Sequence, residues 1–185
     1  MNSLDPANTA NITYTYDGND VVVMTVDENT STTAGTYAIF TAITAVLKDG
    51  DSVDKGTGFV DGVAMSMYAD DLNVIDGTYV VLELTLDGTA ITDTVPATSA
   101  VTATGVITSI VGNLVKVDGA FYEMADDAVV YSEVYDAGDV DSVSIGSVSN
   151  VKVGAYIEFY DTNDDTDDGY ELMVVVAKAN IVEMD

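Results

Sequence analysis

From Asp161 to Gly169 the chain reads Asp-Thr-Asn-Asp-Asp-Thr-Asp-Asp-Gly, so carboxylate or amide oxygens recur at Asp161, Asn163, Asp165 and Asp167. Oxygen ligands at alternate positions are what a loop uses to wrap Ca²⁺. Those four residues are the candidate metal ligands and Ca²⁺ the candidate cofactor, with a solvated hairpin tip as the plainer alternative. An EF-hand loop requires Gly at its sixth position and a bidentate Glu at its twelfth, where this chain has Thr166 and Leu172. Asp70/Asp71 and Asp126/Asp127, each pair preceded by Ala, are further cation candidates, although turn capping is their commoner role. Asp136, Asp139 and Asp141 read as another acidic loop.

Most other chemistry is excluded by residue type. The 185 residues include no His, Cys, Trp or Arg, and Lys occurs five times. Imidazole bases, thiolates, zinc and haem sites and disulfide redox are therefore unavailable. Paired carboxylates could serve a glycosidase, but with 32 acidic residues some pair always has a plausible spacing, so the pairing singles out nothing. No catalytic residue is assigned, and the chain is not expected to be an enzyme. The eleven Tyr, among them Tyr14, Tyr16, Tyr122, Tyr131, Tyr156 and Tyr160, fit strand-face packing better than a ligand platform.

The formal net charge is −27, yet 48% of the residues are hydrophobic, so a core can form and the charge must lie on surfaces. Nucleic acid and anionic membrane are poor partners for such a surface. Seven of the acids are Glu and the other 25 Asp, a composition of acidic turns rather than acidic helices. No stretch reaches transmembrane length, and Met1–Pro6 has neither the basic start nor the apolar run of a signal peptide. The lack of thiols fits either the cytoplasm or a cell surface, whereas few Lys, abundant Thr and Asp-rich turns favour an extracellular or cell-surface protein, the given chain then being a mature form or a fragment. The triplets Asn11-Ile12-Thr13 and Asn29-Thr30-Ser31 match the glycosylation sequon.

Period-two alternation and β-branched runs predict an all-β chain. Expected strands include Ile12–Tyr16, Val21–Val26, Tyr37–Leu47, Gly58–Val60, Val63–Tyr68, Tyr79–Leu86, Ala90–Thr94, Val101–Val111, Leu114–Val117, Ala120–Met124, Val129–Val134, Tyr156–Tyr160, Tyr170–Ala177 and Asn180–Met184. Seven Asp-Gly dipeptides, beginning at Asp17, Asp49, Asp61, Asp76, Asp87, Asp118 and Asp168, supply the positive φ angles of tight hairpins and predict antiparallel pairing. Pro96 marks a linker over 96–100. An internal repeat straddles it: Val-Asp-Gly, a strand, Ala-Asp-Asp, a connection, and Gly-x-Tyr opening a strand, at 60–79 and again at 117–156. The expected organisation is an N-terminal β extension (1–34), a first β-sandwich or barrel-like module (35–95), the linker (96–100) and a second module (101–185).

The second module, from Gly105-Val106-Ile107 to Val151-Lys152-Val153-Gly154-Ala155-Tyr156-Ile157-Glu158-Phe159-Tyr160-Asp161, resembles the β-repeats that follow the anchoring modules of bacterial surface-layer proteins. That resemblance implies secretion, assembly into lattices or fibres, and dependence on Ca²⁺. It does not extend to an anchoring module. The expected function is an extracellular structural protein that self-assembles into a surface layer, tube or filament. Copies of itself are the expected partner, and cell-wall polymers or glycans are further possible partners. The alternative is a monomeric, cation-stabilised adhesin or ligand-binding β-domain, and a carboxylate-dependent glycosidase comes third. Residues 1–34 precede the repeat frame, so their two strand patterns are candidates for pairing with a neighbouring subunit.

Overall fold

The computed structural model describes residues 11–17, 20–27, 35–72, 78–88, 90–163 and 169–184. Its backbone is about 69% strand and 8% helix, so the protein is all-β. The chain divides into two compact units, Met1–Ala34 and Gly35–Asp185. In the first, β1 (Asn11–Asp17) and β2 (Asp20–Asp27) pair antiparallel as a two-stranded sheet of their own.

The second unit holds two closed rings of strands. β3 (Thr36–Lys48), β4 (Asp51–Val60), β5 (Val63–Ala69), β6 (Val81–Asp87) and β7 (Ala90–Pro96) close in the order β3-β4-β5-β7-β6. The second ring takes β8 (Val101–Val111), β9 (Leu114–Val117), β10 (Ala120–Asp136), β12 (Tyr156–Tyr160) and β13 (Tyr170–Val176), with β11 (Asp139–Ile145) added outside β10. It runs β8-β9-β10-β13-β12 and closes because β12 pairs with β8 and β9 with both β8 and β10. With the strands of each ring numbered 1 to 5 in chain order, both read 1-2-3-5-4. Strands 3 and 5 are parallel in each, at Tyr68↔Ala90 in the first ring and from Met124↔Tyr170 in the second. This is the connectivity of the OB-type Greek-key barrel.

The repeat seen in the sequence falls at equivalent places in the two rings. Asp61-Gly62 and Asp118-Gly119 turn strand 2 into strand 3, with positive φ at all four residues. The parallel seams match residue for residue, since Ala-Asp-Asp follows Tyr68 in one ring and Met124 in the other. The seams also depart from the expected all-antiparallel pairing: strand 5 returns beside strand 3 through a long crossover, which hairpin turn signals do not encode.

Other elements differ from the sequence expectation for local reasons. β10 is one strand of 17 residues, not two. Four of its residues, Ala125–Ala128, stand opposite Glu171 alone, a bulge that bends the strand from β9 toward β13. Asp136, Asp139 and Asp141 are not a loop: they end β10 and begin β11 around a turn at Ala137-Gly138, whose Ala (φ 52°) carries no turn signal. β4 begins at Asp51, and its charged first half pairs with β3 in an exposed hairpin. Asn180–Met184 is not a strand, because Lys178–Glu183 forms a 3₁₀ helix. Pro96 ends β7, and Ala97 beyond it is 2% exposed in a 3₁₀ turn packed into the core. Among the described residues no helix is long and apolar enough to cross a membrane.

Alternation along the strands builds three apolar clusters. Ala38, Phe40, Leu82, Leu84 and Ile91 fill the first ring. Ile107, Val115, Ile157, Phe159, Met173 and Val175 fill the second, where Phe159 stacks on Tyr122 at 5.4 Å between ring centroids. The opposite faces of the same strands meet between the rings: Tyr37, Ile39 and Val81 pack with Tyr131, Tyr160, Leu172 and Val174. β13 is thus buried on both faces, which explains its unbroken run Leu-Met-Val-Val-Val.

Candidate functional site

Glu171, near the start of β13, is where the acidic motifs converge. The hairpin register sets Tyr160 opposite Leu172, so Asp161 leaves β12 beside Glu171. The backbone N–H and the hydroxyl of Thr162 both donate to Glu171 Oε2, at 2.9 and 3.1 Å, and fasten the start of the acidic loop. Glu171 Oε1 and Asp161 Oδ1 are buried atoms without a hydrogen-bond partner among the described residues. Burial raises the Glu171 pKa and the Asp161 charge adds to it, while the Thr162 hydrogen bonds pull it down. Two unsatisfied carboxylate oxygens at one loop suit a hard cation, which would supply the charge the protein does not.

On its other side Glu171 lines a cavity of about 350 Å³ with Asn113, Glu123, Met124, Ala125, Asp126 and Asp127. The bulge in β10 positions the aspartate pair there, and Asn113 Nδ2 donates to Glu123 Oε1 at 2.6 Å. The first ring has its counterpart at the same seam, a cavity of about 480 Å³ whose lining includes Asp70, Asp71 and Asp93, with Lys48 over the Tyr68 ring. Each ring therefore keeps an acidic hollow where strands 3 and 5 run parallel.

Of the four predicted ligands, Asp161 and Asn163 stand at the start of the loop, and Asp165 and Asp167 lie outside the described residues. Among the described residues no group of three or more acidic side chains is close enough to hold a metal. Glu171 is a residue that motif matching missed. The EF-hand frame looks for Glu at the twelfth position, and this chain has it at the eleventh, where the strand turns it back onto the loop.

A second acidic pair lies on the outer face of the second ring. Glu133 on β10 is 8% exposed, and burial followed by the nearby Glu158 charge pushes its carboxyl up to about 7. The Tyr135 hydroxyl donates to Glu133 at 3.2 Å, and the Tyr160 hydroxyl to Glu158 at 2.8 Å. Burial and these two carboxylates raise both phenols, so they remain donors throughout the physiological range. Nothing in the spacing of the sequence identifies this pair, since it forms only when β13 enters between β10 and β12.

No protein-family model, curated protein or solved structure matches the chain, so the relation to OB-type barrels rests on strand connectivity alone.

Proposed function

We propose that the protein is an extracellular structural subunit that polymerises into a surface layer, tube or filament, with its N-terminal hairpin as the link between copies. One observation carries this reading: β1 and β2 form a two-stranded sheet of their own, in a compact unit distinct from the two closed rings. An isolated hairpin is marginally stable in water and gains most from a third strand. A chain that closes its other sheets while keeping a hairpin that pairs, among the described residues, with no third strand is equipped to add strands to a neighbour. The resemblance to surface-layer β-repeats supports the same reading, as does a composition rich in Thr and Asp and poor in Lys. Ca²⁺ at Asp161, Asn163, Asp165, Asp167 and Glu171 would offset the like-charge repulsion that assembly concentrates.

The experiment is deletion of residues 1–27. Loss of polymer in negative stain, with β circular dichroism retained, supports the proposal; normal polymers from the truncated chain reject it. A monomeric ligand-binding domain is the second reading, favoured by the OB-type connectivity, whose barrels serve many binding functions. Oligonucleotides, a frequent ligand of that fold, are disfavoured by the charge of −27. Cell-wall polymers or glycans are the ligand class left to that reading.

A further inference from the structure

Asp61 and Gly62 both have positive φ, 44° and 75°, the signature of a two-residue type I′ turn. Val60 and Val63 on either side of it therefore exchange both ladder hydrogen bonds. Alternation then turns the backbone groups of Val63, Met65 and Met67 toward β4 and those of Ala64, Ser66 and Tyr68 outward. Tyr68 meets Ala90 of β7 on that outward side, as the phase requires. Among the described residues, no strand takes the outward N–H and C=O groups of Ala64 and Ser66.

This edge lacks the usual guards. Val63 through Met67 contains no charge, proline or bulge, and Val63 and Met65 are 61% and 43% exposed. The outer edge of β11 is protected differently: it carries Asp139 and Asp141, and its ladder with β10 is bulged. The outer edge of β3 beyond Phe40 is bulged at its start, and the Phe40 carbonyl already accepts the Tyr79 N–H at 2.8 Å.

We infer that the outer edge of β5 from Val63 to Met67 is the acceptor for the N-terminal hairpin of a second copy, which adds β2 to the sheet; this rests on the assembly reading above. Two chains of charge −27 approach with least repulsion through uncharged surface. β2 offers six uncharged residues, Val21–Val26, between Asp20 and Asp27, and the acceptor offers Gly62–Ala69 between Asp61 and Asp70. The flanking aspartates penalise slipped registers that would set like charges opposite one another. Each union also gives the hairpin its missing third strand.

The test uses two full-length variants. Ala64→Pro removes an outward N–H and leaves the bonds to β4 in place, so it disables the acceptor; Val23→Pro disables the donor. Each alone is expected to stay a 19.4 kDa monomer in light scattering, and an equimolar mixture to give a dimer of twice that mass, because one intact donor meets one intact acceptor. Polymers from Ala64→Pro, with Val23→Pro monomeric, overturn the acceptor while leaving the hairpin as the link. Polymers from Val23→Pro overturn the assembly reading itself. A mixture that stays monomeric overturns the pairing of these two edges. Should Ala64→Pro lose its β circular dichroism, Met65→Asp, which keeps every backbone donor, replaces it with the same expected outcomes.

Discussion

Glu133 ties stability to pH. Its folded pKa of about 7 lies above the ordinary 4.5, so the folded state binds more protons than the unfolded one between those values. The contribution is fully present below pH 4.5 and is lost as pH rises through 7, amounting to about 3 kcal/mol over the window. Glu133→Gln should therefore flatten the pH dependence between 4.5 and 7 and raise the melting temperature above pH 7, as read by thermal unfolding at several pH values. An unaltered pH profile would show that Glu133 is not the titrating group. Glu171 makes a different demand, since its Oε1 and Asp161 Oδ1, both without a partner among the described residues, gain most from a cation. Calcium at a hundredfold excess over its dissociation constant contributes about 2.7 kcal/mol, or roughly 5–10 °C for a unit of this size. Chelator at fixed ionic strength should lower the melt by about that amount, and Glu171→Gln should abolish the response. A melt indifferent to chelator removes calcium from this site.

Elements with close backbone approach set the tightest constraints. A Cβ on Gly58 would run into the Ile39 carbonyl and the Phe40 Cα where β3 bulges past β4, so Gly58→Ala should destabilise the second unit by about 1–3 kcal/mol or more in urea unfolding. The β4–β5 turn is also tied to the second ring, because the Gly62 N–H donates to the Tyr131 hydroxyl at 3.0 Å. Tyr131→Phe should cost about 1–2 kcal/mol by leaving that N–H without its partner. Much of this scaffold was legible in residue patterns: Asp49-Gly50, Asp61-Gly62 and Asp118-Gly119 turn as expected, and Val101–Val111 and Tyr156–Tyr160 match to the residue. The parallel seams were not legible, because Tyr68 meets Ala90 and Met124 meets Tyr170 through tertiary closure with no local signal. The same holds for the site. Asp161 and Asp126/Asp127 were visible as motifs, but their convergence on Glu171 depends on a four-residue bulge within a strand.

At the scale of the whole molecule, two rings of the same connectivity share a core, while 32 acids and five Lys leave the surface strongly negative. Repulsion of this kind opposes association and is screened within about 10 Å at ~0.1 M salt. Assembly should therefore be faster and more extensive as salt or calcium rises, a trend that turbidity can follow. The central claim is that copies join through the N-terminal hairpin, and negative-stain microscopy of the full chain beside one lacking residues 1–27, both in calcium and physiological salt, tests it most directly. The account predicts periodic polymers from the full chain and folded, dispersed monomers from the truncated one. Polymers of the same form from both, or a full chain that remains monomeric under every such condition, would contradict it.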